Sequence, residues 1–389
     1  MRTVLPRAAL TTLAVATALA AIPGVALAAA PATPTRTAVT SDAGPAVFVQ
    51  TNALTGNTIL AYHRADDGAL TPVGEYQTGG LGGVAVNAPL DSLASQGSLT
   101  YDPAHRLLFA VNAGSNSVTV FAVHGAQLLR EQVVSSRGQF PVSISVHGGL
   151  LAVLNAGGSG SVAAYAIVGD RLAALPWAHR SLGLANTTPP LFITAPAEVG
   201  FSPSGHDLVV TTKANGSIDV IPVHAGGAFG PTSVTTSAGA VPFSFTFDRF
   251  AHLVVTEAGT STVTTYALSW DGALTPLTVS VGDGGKALCW TVNARGLVIG
   301  ANAGSATLSS YRTASTGGLT LVQPVATATG AGPIDMATAA HGHLLYVQDS
   351  VAGEVQGFWV HADGTLTLAT TLTGLPAFNG AGMEGIAAS

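Results

Sequence analysis

Alternating hydrophobic and polar positions dominate the chain and recur in seven similar units. Each unit has a short β-branched run that ends in a polar residue, then a turn of small residues and a second alternating run. Period-two alternation is typical of half-buried strands, whereas helical periodicity is nearly absent. The seven runs are centred on Ala46–Val49, Leu107–Val111, Leu150–Leu154, Leu208–Val210, Leu253–Val255, Leu297–Ile299 and Leu344–Val347.

The spacing of these units predicts a β-propeller. The polar residues that end the runs lie 43 to 47 residues apart in four intervals, and 58 and 60 apart in the other two. Asp271-Gly272 and Asp363-Gly364 each separate two alternating runs, which is a strong hairpin signal. Four short strands in a unit of roughly 40–50 residues are typical of a propeller blade. We therefore predict an all-β, seven-bladed propeller over residues 45–389, with insertions at residues 79–97 and 176–195.

The two ends of this region predict how the ring closes. The first unit begins at its second strand, and the segment Gly382–Ala388 matches the inner first strand of the other units. We expect the C-terminal strand to complete blade 1, which would leave no open radial edge.

The N-terminus predicts export. Arg2 and Arg7 precede an uncharged apolar run from Ala8 to Ile22, and Ala26–Ala28 supplies a small-residue cleavage pattern. This pattern indicates a secretory signal peptide over residues 1–28, cleaved after Ala28, and hence a secreted protein. Residues 29–44 are rich in Ala, Pro and Thr and are interpreted as a linker. The alternative is an uncleaved membrane anchor, because the uncharged stretch is long enough to span a bilayer.

Composition narrows the function classes. Charged residues make up 9% of the 389 residues and hydrophobic ones 47%, so a disordered chain is excluded. The net charge of −6 argues against a nucleic-acid partner. A single cysteine excludes a disulfide framework and a Cys-rich zinc site. We expect a monomer with no membrane span after cleavage, and a small molecule or protein as its ligand.

Three motifs resemble those of one propeller family. Phe201–Gly205 is similar to that family's inner-strand exit, Gly68–Pro72 to its outer-strand start, and Val255–Val263 to its acidic blade-5 motif. The family is that of the lactonase-like seven-bladed propellers, which includes bacterial 6-phosphogluconolactonases and fungal carboxymuconate cyclases. The resemblance covers essentially the whole mature domain. It implies the fold, a lactonase-type activity, and a functional role for Glu257.

Most of the charged site of that family does not carry over to this chain. Its charged motifs in blades 4, 5 and 6 are replaced here by Ala195–Glu198, Lys213–Gly216, Val241–Ser244 and Asn302–Gly304. Only Glu257 remains of the charged set. Because arginine clamps are the expected device for phosphorylated or polycarboxylate lactones, we do not expect a true 6-phosphogluconolactonase.

Two columns of equivalent residues supply the candidate site at one channel mouth. The inner-strand column reads Ser98, Ser143, Glu198, Ser244, Cys289, Asp335 and Gly385, and the loop column reads Asn52, Asn112, Asn155, Lys213, Glu257, Asn302 and Asp349. The candidate catalytic residues are Glu257, Glu198 and Lys213. The candidate ligand-binding residues are Asn52, Asn112, Asn155, Asn302, Asp335, Asp349 and Cys289. The alternative is that the polar side chains only hold loop backbone and that Cys289 is a small buried hydrophobe. Ten of the eleven histidines fall at turns of the opposite face.

Three functions remain open on the sequence. The first is a secreted, non-catalytic ligand- or partner-binding propeller with a degenerate lactonase site. The second is a lactone hydrolase or ring-opening enzyme, with Glu257 or Glu198 as acid or base and with Lys213 and Asn112 steadying an oxyanion. The third is a propeller that binds a divalent cation, with Glu198, Glu257, Asp335 and Asp349 as oxygen ligands. None of the three functions needs an organic cofactor.

Overall fold

The computed structural model describes residue 1 and residues 44–389. The predicted signal peptide and linker therefore lie, except for Met1 and Gly44, outside the described residues. Within the described part of the chain, no helix has the length and apolar character needed to cross a bilayer.

Residues 44–389 form seven four-stranded antiparallel sheets, which confirms the predicted seven-bladed propeller. The inner strands are Ile386–Ala388 in blade 1, then Leu99–Asp102, Pro141–His147, Pro196–Phe201, Pro242–Phe247, Leu288–Ala294 and Pro333–Ala339. The second strands are Ala46–Gln50, Leu107–Asn112, Leu150–Asn155, Asp207–Thr212, Leu253–Glu257, Leu297–Asn302 and Leu344–Asp349. The third strands are Thr58–Arg64, Ser117–His124, Ser161–Val168, Ser217–Pro222, Thr262–Leu268, Thr307–Thr313 and Glu354–Val360. The outer strands are Leu70–Gln77, Gln127–Ser135, Arg171–Ser181, Ser233–Thr236, Leu274–Gly282, Leu319–Ala328 and Leu366–Thr373. Short 3₁₀ turns occur at Ala113–Ser115, Ala225–Gly227 and Ala340–Gly342.

The core lies between neighbouring blades. The second strands are buried almost throughout, as in Leu107–Asn112, whereas the outer strand Leu274–Gly282 is mostly exposed. Val47 of blade 1 packs in one apolar cluster with Leu344 and Tyr346 of blade 7. A strand covered on both faces by adjacent blades needs apolar residues at every position, which explains the continuous β-branched runs of the sequence.

The C-terminal strand completes blade 1, as predicted. Ile386–Ala388 pairs antiparallel with Val47–Val49. The pairing extends to Glu384, whose backbone N–H donates to the Gln50 carbonyl at 3.0 Å. The hydroxyl of Tyr346 in blade 7 donates to the carbonyl of Gly68 in blade 1 at 2.9 Å, across the same junction. The ring is therefore closed by both main-chain and side-chain contacts.

The second insertion is shorter than predicted. The outer strand of blade 3 continues to Ser181, so residues 176–181 belong to that blade and the insertion is residues 182–195. The expected start at residue 176 was wrong, because Pro176 lies within the outer strand. An outer edge strand tolerates proline, since one side of it has no ladder to complete. The first insertion, between Gln77 and Leu99, occurs where predicted.

Candidate functional site in the central channel

Part of the first insertion, the segment Asp91–Gly97, runs inside the ring. The Ser95 hydroxyl donates to the Val142 carbonyl of blade 3 at 2.9 Å. The indole N–H of Trp290 in blade 6 donates to the Ser95 carbonyl, also at 2.9 Å. Both partners lie near the starts of inner strands, which surround the channel. We refer to Asp91–Gly97 as the channel segment.

Gln96 fixes the channel segment to two further positions of the wall. Its backbone N–H donates to the Ala197 carbonyl of blade 4 at 3.1 Å. Its side-chain amide forms a pair of hydrogen bonds with the backbone of Thr291 in blade 6, at 2.8 and 3.0 Å. A segment that contacts the inner strands of blades 3, 4 and 6 fills the channel at the end where those strands begin.

The two insertions pair with each other above the channel segment. The Val86 N–H donates to the Pro190 carbonyl at 2.8 Å, and the Phe192 N–H donates to the Val86 carbonyl at 3.0 Å. Leu93 and Ala94 of the channel segment are completely buried and belong to the largest apolar cluster of the protein. The predicted mouth is therefore closed by the chain itself.

Two buried carboxyl groups hold the channel segment to the closing strand. Asp91 is completely buried and accepts hydrogen bonds from the N–H groups of Ala94 at 2.8 Å and Ser95 at 3.0 Å. Glu384 accepts from the N–H groups of Ser92 and Leu93, and its carboxyl is hydrogen-bonded to that of Asp91. Burial raises the pKa of both groups, and the Asp91 charge raises that of Glu384 further. The contact between the two carboxyls lowers the pKa of Asp91 and raises that of Glu384, so Glu384 takes up a proton before Asp91 does.

Glu198 and Asp335 complete a group of four carboxyls in the channel. Glu198 accepts from the Phe245 N–H at 2.7 Å and from the Gln96 side-chain amide at 3.5 Å. Asp335 accepts from the Gly97 N–H at 3.4 Å. Burial raises the pKa of each well above its ordinary value, and neighbouring carboxylates add to the effect. Both inner-strand candidates thus lie in the channel and contact the channel segment.

Lys213 reaches the same place from its loop. Its ammonium donates to the Ala94 carbonyl at 2.7 Å and lies 5.0 and 4.7 Å from the ring centroids of Phe192 and Phe243. Burial lowers the pKa of Lys213 to about 8, although the nearby Asp91 charge opposes this. The cation is therefore enclosed by a carbonyl and two aromatic faces, which offset part of the cost of its burial.

Cys289 lies beside Lys213 in a buried position. Burial raises the pKa of its thiol to about 12, so the thiolate is scarce at neutral pH. Since the thiolate is the nucleophilic and metal-binding form, the thiol is unreactive in this arrangement.

Glu257, by contrast, is enclosed between blades 4 and 5. One carboxylate oxygen accepts from the Ser237 hydroxyl at 3.1 Å and the Gly239 N–H at 2.7 Å. The other accepts from the hydroxyls of Thr262 and Thr264, each at 3.0 Å. The side chain is completely buried, and its oxygens are occupied by donors of its own surroundings.

The asparagines of the loop column have similar surroundings. Each bonds the connection between two blades: Asn52 to Gly83, Asn112 to Thr78, Asn155 to Ser136, and Asn302 to Asp283. These contacts join the end of each second strand to a connection between two blades. The structure does not bring these residues to the channel carboxyls, and their role in ligand binding stays a prediction.

Asp349 is the exception in the loop column. It is completely buried, and neither carboxyl oxygen has a hydrogen-bond partner among residues 44–389. The nearby Gly330 N–H and Thr329 hydroxyl donate to Gln356 and to the Gly330 carbonyl instead. Burial, together with the charge of Glu354, raises the pKa of Asp349 to about 8.

The four carboxylates predicted as cation ligands are not brought together. Glu198 and Asp335 lie in the channel, whereas Glu257 and Asp349 lie between blades. Among the described residues, no group of three or more His, Cys, Asp and Glu side chains is arranged to hold a metal ion.

Sequence reasoning missed Asp91 and Glu384. The sequence nevertheless contains a feature that could have indicated each of these two residues. Asp91 is the only charged residue of the first insertion, and Glu384 precedes Gly385 of the inner-strand column. A charge in an apolar insertion and another in a strand facing the channel both indicate burial with a polar partner.

Comparison with solved structures places the fold among gluconolactonase-like propellers. No protein-family model and no curated protein sequence matches the chain. A 6-phosphogluconolactonase candidate of Bacteroides fragilis is 17% identical with a TM-score of 0.68, over 86% of this chain and 97% of that one. A second such candidate, of Bacteroides uniformis, is 15% identical with a TM-score of 0.69, over 89% of this chain and 100% of that one. The periplasmic gluconolactonase of Pseudomonas aeruginosa is 18% identical with a TM-score of 0.62, over 88% of this chain and 98% of that one. The chain therefore has the fold of the 6-phosphogluconolactonase-like seven-bladed propellers.

Proposed function

We propose that this protein is a secreted, non-catalytic binding propeller with the lactonase-like fold. The observation that carries the proposal is the channel segment, which fills the predicted mouth and bonds the inner strands of blades 3, 4 and 6. Export is supported by the N-terminal sequence pattern alone. A rigid closed ring with an occupied mouth is suited to binding through its remaining surfaces.

The hydrogen bonds of the candidate acid–base residues support the same proposal. Glu198 accepts from Phe245 and Gln96, and Glu257 accepts from four donors within its own surroundings. A general base must reach the proton that it removes, directly or through one water. In this closed arrangement a substrate would first have to displace the protein's own donors.

The test is hydrolysis of a panel of neutral, phosphorylated and polycarboxylate lactones by the purified protein. We expect the wild type, Glu198→Gln and Glu257→Gln to give the same rate as buffer alone. A wild-type rate above buffer that falls at least about a hundredfold in Glu198→Gln or Glu257→Gln would overturn the proposal, since amides cannot transfer the proton.

A lactone hydrolase is the second candidate, and one observation favours it. The raised pKa of Glu198 and the lowered pKa of Lys213 occur in one channel, and opposed shifts of this kind cluster at functional sites. Glu198 would act as acid or base, and Lys213 would steady the oxyanion once the channel segment had moved. Gln96→Ala removes the pair of hydrogen bonds to Thr291 and loosens that segment. An occluded enzyme should become faster in Gln96→Ala, whereas a binding propeller should stay inactive.

A further inference from the structure

A cavity of about 900 Å³ lies at the end of the ring opposite the closed mouth. Its wall is formed by the turns between inner and second strands in blades 2, 6 and 7, and by the last residues of the closing strand. Its volume is within the range of small-molecule sites, which is roughly 300–1,000 Å³.

The charged side chains of this wall have one sign. Arg64, Arg106 and Arg295 line the cavity together with His124 and His341, and the lining contains no Asp or Glu. The whole chain has only 14 Lys and Arg residues and a net charge of −6. Three guanidinium groups in one cavity are therefore a local reversal of the overall charge.

None of these three arginines is neutralised by an acidic side chain. Within residues 44–389, the ion pairs are two local His–Asp contacts, and no guanidinium forms one. Arg295 donates to the Val360 carbonyl at 2.9 Å, and Arg64 donates to the Ser389 carbonyl at 3.3 Å. Two of the side chains are thus held in place by backbone oxygens, that of Val360 for Arg295 and that of Ser389, the last residue of the sequence, for Arg64.

Arg64 carries the strongest indication of a missing partner. It lines the cavity and is only 8% exposed, yet its Nε–H has no acceptor among the described residues. A buried donor without an acceptor costs about 1–3 kcal/mol, and more when the group is charged. An oxygen of a ligand in the cavity would accept this hydrogen bond.

The turns that line the cavity have an unusual backbone conformation at their cationic or titratable residues. Arg106, Arg295 and His341 have φ values of 55°, 52° and 56°, in the left-handed region where glycine is favoured. The corresponding turns of blades 3 and 4 place Gly148 and Gly205 there, and that of blade 5 places Ala251 there. Three of the four blades that border the cavity therefore have a cationic or titratable side chain where a glycine would be less strained.

We propose that this cavity, lined by Arg64, Arg106 and Arg295, binds a small anion that carries two or more carboxylate or phosphate groups. Guanidinium groups recognise both chemistries with paired hydrogen bonds. Val123 and Ala339 supply apolar wall for the carbon skeleton. The cavity is separate from the channel segment, so the anion-binding proposal can be tested independently of the proposed function.

Calorimetric titration with citrate and with pyrophosphate, at constant ionic strength, tests the site and distinguishes carboxylate from phosphate ligands. We expect saturable binding of at least one of them to the wild type. Arg106→Gln and Arg295→Gln should each weaken it at least tenfold. The matched control is Arg312→Gln, because Arg312 is exposed, donates to the Ala362 carbonyl at 2.8 Å and is not part of the cavity.

Saturable binding that Arg312→Gln and Gln96→Ala leave unchanged, and that the two cavity variants weaken, supports the site. Absence of saturable binding of either anion to the wild type would overturn it. Equal affinities in the wild type and both cavity variants would also overturn it, since the anions would then bind elsewhere. Neither result would alter the outcome of the lactone panel.

Discussion

The carboxyl of Glu384 accepts a hydrogen bond from the Leu93 N–H at 3.2 Å, across 291 residues of chain. This contact joins the closing strand of blade 1 to the segment that fills the channel. The same carboxyl is hydrogen-bonded to that of Asp91. Closure of the ring and closure of its mouth are therefore coupled through one buried acidic residue.

Deletion of residues 382–389 should open the ring. It removes the strand that pairs with Val47–Val49 and the carboxyl that holds Leu93. An unpaired edge and an unanchored channel segment should lower the melting temperature and broaden the transition in calorimetry. A truncated protein that melts like the full-length chain would show that the strand pairing does not contribute to closure.

Glu384→Gln should change how stability depends on pH. The pKa of Glu384 is raised above its ordinary value of 4.5, so the folded state holds this proton more tightly than the unfolded state. Its contribution is complete below about pH 4.5 and is lost as the pH rises towards the folded-state pKa. A glutamine keeps a donor towards Asp91 and an acceptor for Leu93, and it does not ionise.

The melting temperatures of the wild type and Glu384→Gln, measured from pH 5 to pH 9, check this sign. The melting temperature of Glu384→Gln, relative to that of the wild type, should increase as the pH rises. Glu384→Ala serves as the contrast, because it leaves the Ser92 and Leu93 N–H groups without an acceptor and should be destabilised throughout. A difference between the wild type and Glu384→Gln that is constant with pH would contradict the raised pKa of Glu384.

Asp349→Asn should stabilise the protein at pH 8. The raised pKa of Asp349 means that its contribution to stability is present below about pH 3.8 and is lost as the pH rises through about 8. An amide removes the buried charge beside Glu354 and matches Asn112, Asn155 and Asn302 of other blades. We expect a gain of about 1–3 kcal/mol in the free energy of unfolding at pH 8, and a smaller gain at pH 5.

The control for Asp349→Asn is Asp363→Asn. Asp363 is exposed, and hydrogen bonds from Thr365 lower its pKa. Its pKa shift is therefore opposite in sign to that of Asp349, and ionisation of Asp363 favours the folded state. This variant should gain nothing at pH 8 in denaturant unfolding. Equal behaviour of the two variants would show that the environment of Asp349 is not what sets its effect.

Glu257→Gln should fold normally. The hydroxyls of Thr262 and Thr264 can reverse their roles and accept from the new amide, while the remaining oxygen keeps the Gly239 N–H. We expect a change in unfolding free energy of no more than about 1 kcal/mol. Glu257→Ala leaves all of these donors without an acceptor and should cost about 3 kcal/mol or more. Unfolding of Glu257→Gln would show that the carboxylate itself is required for stability.

The fold could be predicted because each blade repeats one pattern. The continuous runs such as Leu107–Val111 report strands buried on both faces, and the match of Gly382–Ala388 to other inner strands indicated ring closure. Both depend on local periodicity and repeat spacing. Proline in an outer strand, as at Pro176, has no such regularity to place it.

The site was harder to predict because it depends on an insertion. Repeat alignment set Glu198 and Asp335 apart from the small residues of their column, and both lie in the channel. It has no equivalent position for Asp91 or Gln96, so it could not show that residues 91–97 enter the channel. It also grouped Glu257 with Lys213, although the long Lys213 side chain reaches Ala94 and Glu257 remains between blades.

Hydrogen–deuterium exchange of the channel segment tests the closed mouth most directly. The N–H groups of Leu93, Ala94, Ser95 and Gln96 are all buried and hydrogen-bonded to Asp91, Glu384 or Ala197. We predict that they exchange as slowly as those of the buried strand Leu107–Asn112. Exchange as fast as that of the exposed Gly148-Gly149 turn would contradict the closed mouth, and with it the argument against catalysis in the channel.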